Sequence, residues 1–349
     1  MYFAIFIFQL PYSLQLCRQI KLKTIKEATK HKHNHSVTHP CKLIIQSLQK
    51  MKFLQLLSLS LLVCFIQAAS VPHGCPNLIN PCRRTDEVET DNITVRTPSR
   101  TIPGFKTPIY IQIVGNEVFL TENKGKVQVL DVHTGERLRS FSIPSGRPHG
   151  LFVRGNRVLV TNTRQETYSF TLSGELYGVH YSPSKTISVA IDYNGLMYVN
   201  EWNTCKINVY NIDGTKFHTF SVGNSCYPRK IQFDKQGNLY VGEHHSKAVF
   251  VFDRSGSLIR NISLPTVSFM DGIHLNPLDE DFLYVADRSD DHHSGKVLKV
   301  EIATGKVVEK FTELSGANDI AIGPNGEVWV VDIYGNSIKI YYKYIEKQF

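Results

Sequence analysis

The sequence predicts an all-β chain folded as a six-bladed β-propeller with four-stranded antiparallel blades. Two observations carry most of this. One apolar-to-polar segment recurs six times: VFLTEN at 118, VLVTNT at 158, MYVNEW at 197, LYVGEH at 239, LYVADR at 283 and VWVVDI at 328. The starts are 40, 39, 42, 44 and 45 residues apart, and a near-constant period of about 40 residues with β-rich content is the spacing of propeller blades. A third observation is negative: no segment of useful length after residue 70 carries the period of an amphipathic helix.

From the N-terminus, residues 1–50 hold eight Lys/Arg and one acid, Glu27, and read as an upstream extension outside the folded protein. Met51 to Ser70 has a basic start, an apolar run from Phe53 to Ile66 and small residues Ala68 and Ser70. That is the pattern of a secretory signal peptide. The apolar run is shorter than the roughly twenty residues of a membrane span, so no stable span is expected. A type II anchor with a basic cytoplasmic arm is the rival reading. From Val71 onward there are 30 Lys/Arg and 30 Asp/Glu. The formal charge of +8 therefore comes from the first 70 residues, and the folded region offers no electrostatic case for nucleic acid.

Residues 71–91 read as a linker with a small disulfide loop, and 92–349 as the propeller. Four cysteines lie beyond the predicted cut, Cys75, Cys82, Cys205 and Cys226. An even number in an exported chain suggests two disulfides. Proximity favours Cys75–Cys82 and Cys205–Cys226, although three connectivities are possible. Sequons at Asn92 and Asn261 suit the same secreted, extracellular setting.

Each repeat divides into four strands. The first strands are IYIQIV, GLFV, ISVAI, KIQF, GIHL and DIAIG, and the recurring segments are the second strands. The third strands are KVQVLDV, ETYSFTL, KINVYNI, AVFVFDR, KVLKVEI and SIKIYYK. Hairpin turns come next at Thr134-Gly135, Ser173-Gly174, Asp213-Gly214, Ser255-Gly256 and Thr304-Gly305, where glycine supplies the positive φ a tight turn needs. The fourth strands are LRSFSI, LYGVHY, KFHTFS, LIRNIS and VVEKFT. The sixth repeat stops after its third strand, which would leave an open sheet edge. The stretch NITVRTPSRTIPGF, 92–105, precedes the first blade and is expected to supply the missing outer strand.

Segments such as GANDIAIGPNGEVWVVDIYGNSIKIY and FDKQGNLYVGEHHSKAVFVFDRSG resemble NHL repeats, over roughly 107–345. The texture, with PHGL and VADR, is also similar to the propeller of peptidyl-amidoglycolate lyase. That resemblance implies a zinc held by three histidines at the starts of inner strands, and only His149 stands at such a position here. MDGIHL and GANDIAIG are more weakly similar to the gluconolactonase group. That resemblance implies a channel calcium, to which Asp271, Asn318 and Asp319 could contribute.

Strand-one starts and the loops joining strands two and three lie on the same face of a propeller. The mouth ring is therefore Ile109/Tyr110, His149, Ile187/Ser188, Arg229/Lys230, Asp271 and Asn318/Asp319. His149, Arg229, Asp271, Asn318 and Asp319 are the ligand-binding candidates. The second strands end in Glu122, Asn162, Glu201, Glu243, Asp287 and Asp332, a repeat better explained as architecture, with the side chain accepting backbone N–H groups of tight loops. In blade 5 nine positions separate Asp287 from Lys296, against five from Glu243 to Ala248. RSDDHHSG thus carries an insertion facing the same mouth as His244-His245, and His244 with His293 is the candidate metal pair, for zinc or copper. No GxSxG elbow, phosphate loop or HExxH is present. The reading is a secreted, monomeric propeller that binds a small polar ligand or an extracellular protein through its top face. The alternative is a metal-dependent hydrolase or lyase with calcium or zinc at the channel mouth.

Overall fold

The computed structural model describes residues 93–342 except 183, 203 and 224–226. All lie in a compact unit spanning 88–349. The predicted extension, signal peptide, linker, Cys75–Cys82 loop, Cys226 and Asn92 lie outside the described residues.

The chain opens with β1 (Thr94–Arg96) and β2 (Arg100–Pro103). Blade 1 is β3 (Pro108–Val114), β4 (Glu117–Glu122), β5 (Lys126–Asp131) and β6 (Arg137–Ser142). Blade 2 is β7 (Pro148–Arg154), β8 (Arg157–Asn162), β9 (Glu166–Phe170) and β10 (Leu176–Tyr181). Blade 3 is β11 (Thr186–Ile191), β12 (Met197–Glu201), β13 (Lys206–Tyr210) and β14 (Lys216–Ser221). Blade 4 is β15 (Pro228–Phe233), β16 (Leu239–Glu243), β17 (Ala248–Phe252) and β18 (Leu258–Ser263). Blade 5 is β19 (Met270–Leu275), β20 (Phe282–Asp287), β21 (Gly295–Glu301) and β22 (Val307–Leu314). Blade 6 is β23 (Ala317–Ile322), β24 (Val328–Asp332) and β25 (Ser337–Tyr341), with β2 outermost.

Ring closure is as the truncated sixth repeat requires. β2 pairs antiparallel with β25, Arg100 opposite Ile340 through Pro103 opposite Ser337. The sequence did not reveal the role of β1, which adds to the outer edge of blade 5 as a fifth strand, parallel to β22. Arg96 Nε reaches Glu309 Oε2 at 3.1 Å and helps hold it there. The N-terminal segment therefore fastens two neighbouring blades.

Burial tracks the radial order of the strands. The second strands β8, β12 and β24 are buried through nearly their whole length because neighbouring blades cover both faces. The outer strands β6, β10 and β14 alternate between exposed and half-buried residues, since beyond them there is only solvent. The apolar core is a series of layers between blades. Trp329, Val331 and Ile338 of blade 6 pack on Ile111, Val118 and Leu120 of blade 1, and Tyr284 and Val297 of blade 5 pack on Ile320 and Val330 of blade 6. Each fully buried Val, Leu or Ile of this kind contributes about 1.5–3 kcal/mol relative to exposure.

Two local devices prepare the inner rim. Every inner strand shifts register near its start, between Pro108/Ile111, Pro148/Leu151, Thr186/Val189, Pro228/Ile231, Met270/Gly272 and Ala317/Asp319. A bulge leaves one residue unpaired and re-aims its neighbours. In three blades the freed N–H is caught by a second-strand side chain. Tyr110 N donates to Thr121 Oγ1 at 3.1 Å, Gly150 N to Thr161 Oγ1 at 2.6 Å and Ser188 N to Asn200 Oδ1 at 2.5 Å.

The second device is the ring at the second-strand ends. Glu122 accepts Lys106 N at 2.8 Å, and Asn162 accepts Arg164 N at 2.9 Å and Glu166 N at 3.0 Å. Glu201 accepts Thr204 Oγ1 at 3.0 Å. Glu243 accepts Tyr227 N at 2.5 Å and His245 N at 3.0 Å. Asp287 accepts Ser268 N at 3.0 Å and Phe269 N at 2.8 Å, and Asp332 accepts Gly316 N at 2.8 Å and Gly335 N at 3.2 Å. In blades 4 to 6 these carboxylates staple the segment preceding their own blade's inner strand. They are architectural, and their lone pairs are committed.

Candidate ligand site at the channel mouth

The bulged strand starts converge on a cavity of about 240 Å³ at the channel mouth. His149, Arg229, Asp271 and Asn318 line it together with Tyr110 and Arg288. Two glycines make this convergence possible. A Cβ on Gly150 would stand 2.6 Å from Ile187 O, and one on Gly272 would stand 2.7 Å from Asn318 O. The PHG and MDG segments are thus inner-rim sequences in which the residue before glycine faces the mouth while glycine lets the next blade approach.

Asp271 is the centre of charge. It is 4% exposed, with Arg229 Nε 3.3 Å from one carboxylate oxygen and Arg288 Nη1 3.0 Å from the other. These are close ion pairs with poor hydrogen-bond angles, and Arg229 Nε and Asp271 Oδ2 make no aligned hydrogen bond. Burial pushes the Asp271 carboxyl up from its ordinary range, and the two guanidiniums pull it back. Arg229 is held between two rings, 5.2 Å from Trp202 and 5.3 Å from Phe269. Arg288 lies 4.0 Å over the same Phe269. Cation–π contacts at this range favour a guanidinium fixed in place.

His149 sits edge-on to Trp202 at 6.1 Å. Its Nδ1 is buried without a hydrogen-bond partner. Burial, with the Arg229 charge adding to it, pushes its pKa down to about 4, so the imidazole is neutral at physiological pH. Asn318 is oriented by donating from Nδ2 to Ile109 O at 2.7 Å. Burial raises the Tyr110 hydroxyl well above its ordinary value, so it stays protonated.

Asp319, a predicted mouth residue, has a different place. It is fully buried and receives Lys230 Nζ at 2.6 and 2.7 Å, and it also accepts Ile111 N at 3.0 Å. It ties blade 6 to blades 4 and 1. Lys230 also lines a second cavity of about 220 Å³ with Gln112, Gln232 and His274.

The predicted metal pair does not come together. His244 packs on Phe269 with ring centres 3.7 Å apart, while His293 is exposed and lines a shallow groove with Lys310, Thr312 and Glu313. The insertion is knotted by Asp291, which accepts His293 N and Ser294 N, both at 2.9 Å. His292 leans on Tyr334 of blade 6 at 4.3 Å. The two loops do meet at the mouth, both against Phe269, but through His244 and Arg288. Among the described residues no group of three or more His, Cys, Asp or Glu is placed to hold a metal ion.

The donors at the mouth also do not suit a channel calcium. Asp271 already has two guanidiniums and Asp319 an ammonium, so a divalent cation would meet three fixed positive charges before it met a free carboxylate. Zinc would find one imidazole at the inner rim, His149, where a catalytic site usually has three protein ligands.

Sequence reasoning missed one regular feature. The residue just after each second-strand end comes to the mouth: Asn123, Thr163, Arg288 and Ile333 line the cavity, and Trp202 and His244 contact its walls. Trp202 therefore belongs to the mouth, whereas Trp329 packs between blades 6 and 1. The invariant spacing from the acidic landmark is the signal that could have found this second ring.

No family model and no curated protein sequence matches the chain. Solved structures do match it in shape. A streptogramin B lyase superposes with a TM-score of 0.54 at 17% identity, over 69% of this chain and 94% of the lyase. A selenomethionine-substituted virginiamycin B lyase from Staphylococcus aureus gives 0.52 at 17% identity, over 71% and 89%. The likeness is one of fold.

Proposed function

We propose that this propeller is an exported binding protein that takes a small polar ligand at its channel mouth. The observation that carries the reading is a cluster of buried polar atoms with open hydrogen-bonding capacity. His149 Nδ1, Arg229 Nε and Asp271 Oδ2 belong to residues that line one cavity; the first has no hydrogen-bond partner, and the other two are ion-paired, to Asp271 Oδ1 and Arg288, without an aligned hydrogen bond. Buried polar groups are otherwise almost always satisfied, and leaving one unmade costs about 1–3 kcal/mol. A polar ligand would satisfy them. The cavity is smaller than the roughly 300–1,000 Å³ typical of drug-sized sites, so the ligand is small. Export is supported by the sequence pattern of residues 51–70 and by the exposed position of the Asn261 sequon on β18. The propeller works as a monomer in this reading.

A second reading, elimination or hydrolysis at the same mouth, has one observation in its favour. His149 is held unprotonated at neutral pH beside a fixed guanidinium, as a general base would be. Two of the structural neighbours are lyases by name, which supports testing this activity. Fragment soaks into crystals of the protein separate these ideas from a passive scaffold. Small polar fragments should collect against His149, Arg229 and Asn318. Fragments that collect only in the cavity beside His274, or nowhere, would refute the binding reading.

A further inference from the structure

The geometry points to an aromatic carboxylate as the ligand class of the mouth, with Arg288 as the residue that selects it; this rests on the mouth being the binding site. Arg288 fills the repeat position just after the second-strand end, where the insertion peculiar to blade 5 begins. The corresponding positions in the other blades hold Asn123, Thr163, Trp202, His244 and Ile333, none of them a lysine or arginine. Arg288 therefore adds a charge that the architecture does not require.

The local sum is positive. Asp271 is the only carboxylate among the residues lining the cavity, against Arg147, Arg229 and Arg288. Asp271 engages one nitrogen of each of the two inner guanidiniums. A guanidinium carries five N–H donors in a planar fork, and neither side chain has another protein acceptor among the described residues. The remaining donors suit a second, external carboxylate, which a guanidinium recognises through two parallel hydrogen bonds.

The walls favour a flat apolar body. Ile109, Tyr110 and Ile333 supply the apolar lining, Tyr110 with a ring, while Trp202 and Phe269 stand behind Arg229 at 5.2 and 5.3 Å. The insertion is braced rather than loose. Ser289 and His292 adopt positive φ of 64° and 59°, and Ser289 donates from Oγ to Asp291 at 2.8 Å. Positive φ also occurs in the corresponding loops at Gln165, Cys205, Lys247 and Asn336, so it belongs to the turn; the hydrogen bonds of Asp291 are what brace this longer loop.

Trp202 gives a local reporter, because Trp329, the other tryptophan, is buried between blades. The full chain is titrated with phenylacetate and with phenylacetamide while Trp202 fluorescence is monitored. Trp202→Phe serves as the silent control. Phenylacetate is expected to bind at least tenfold more tightly than the amide, the scale of one charge-assisted contact. Arg288→Gln should bring the two ligands to within about twofold, and Arg288→Lys should restore only part of the preference. Arg288 is a partly exposed loop residue, and an unchanged melting temperature in both variants shows that they fold. Equal binding of acid and amide, or a preference that survives Arg288→Gln, overturns the assignment while leaving the mouth as a binding site. Failure of both ligands to perturb Trp202, together with no fragment at the mouth in soaks, removes the mouth reading itself.

Discussion

The Lys230–Asp319 pair offers the sharpest test of how the ring is held together. Asp319 is fully buried, and Lys230 is 8% exposed. The pair joins inner strands of blades 4 and 6, and Asp319 also accepts the N–H of Ile111 in blade 1. Asp319→Asn keeps the shape but removes the charge, leaving an uncompensated ammonium in the channel wall. Removing one partner of a buried pair costs about 3–5 kcal/mol. For a domain of this size that is a fall in melting temperature of roughly 6–20 °C. Lys230→Met should lose a comparable amount by leaving the carboxylate unpaired. The double variant Lys230→Met/Asp319→Leu replaces both groups by apolar ones, and such replacements are often close to neutral. It should therefore recover much of the loss, keeping about 1–3 kcal/mol for the Ile111 N–H left without its acceptor. Urea unfolding of the four proteins closes the cycle. Single-variant losses below about 1 kcal/mol, or a double variant that loses the sum of the two singles, would refute the reasoning.

Two further outcomes are expected. Burial, helped by the Lys230 charge, pushes the His274 pKa down to about 3. The folded state thus keeps this imidazole neutral while the unfolded chain protonates near 6.5, so stability falls as pH drops from about 6.5 toward 3. One such group removes about 2 kcal/mol by pH 5, and His274→Gln should flatten that limb in urea titrations at pH 7.5 and 5.0; parallel pH slopes in both proteins would count against it. Gly272→Ala should cost about 1–3 kcal/mol by overpacking, because the new methyl meets Asn318 O at 2.7 Å and Asp319 Cα at 2.8 Å and backbone cannot swing aside; a variant as stable as the parent in the same denaturation assay would show that blades 5 and 6 can part freely.

The sequence by itself determined the repeat, the strand order within each blade and the closure of the ring. Six second strands can be read because each is sandwiched between blades and must be apolar, and each ends in a polar side chain that, in five of the six, accepts backbone N–H groups of adjoining loops. Ring closure was legible for a similar reason, since a sixth repeat without its outer strand needs β2. These are local or periodic demands, and spacing records them. The convergence of His149, Arg229, Asp271 and Asn318 was legible only as positions on a ring.

Only the tertiary structure decided what each of those groups touches. Asp319 and Asn318 are neighbours in sequence, yet the bulge in β23 sends one to Lys230 and lets the other line the mouth. The insertion looked like a histidine loop, but its histidines go to Tyr334 and to the outer groove, and Arg288 is the residue that reaches Asp271. β1 could not be assigned to blade 5 because its partner strand lies more than 200 residues away and three residues carry little pattern. Partner choice across a closed ring joins residues from different blades, so it leaves no spacing to read. It is set by bulge geometry, by glycine-permitted approach and by which cation reaches a buried carboxylate.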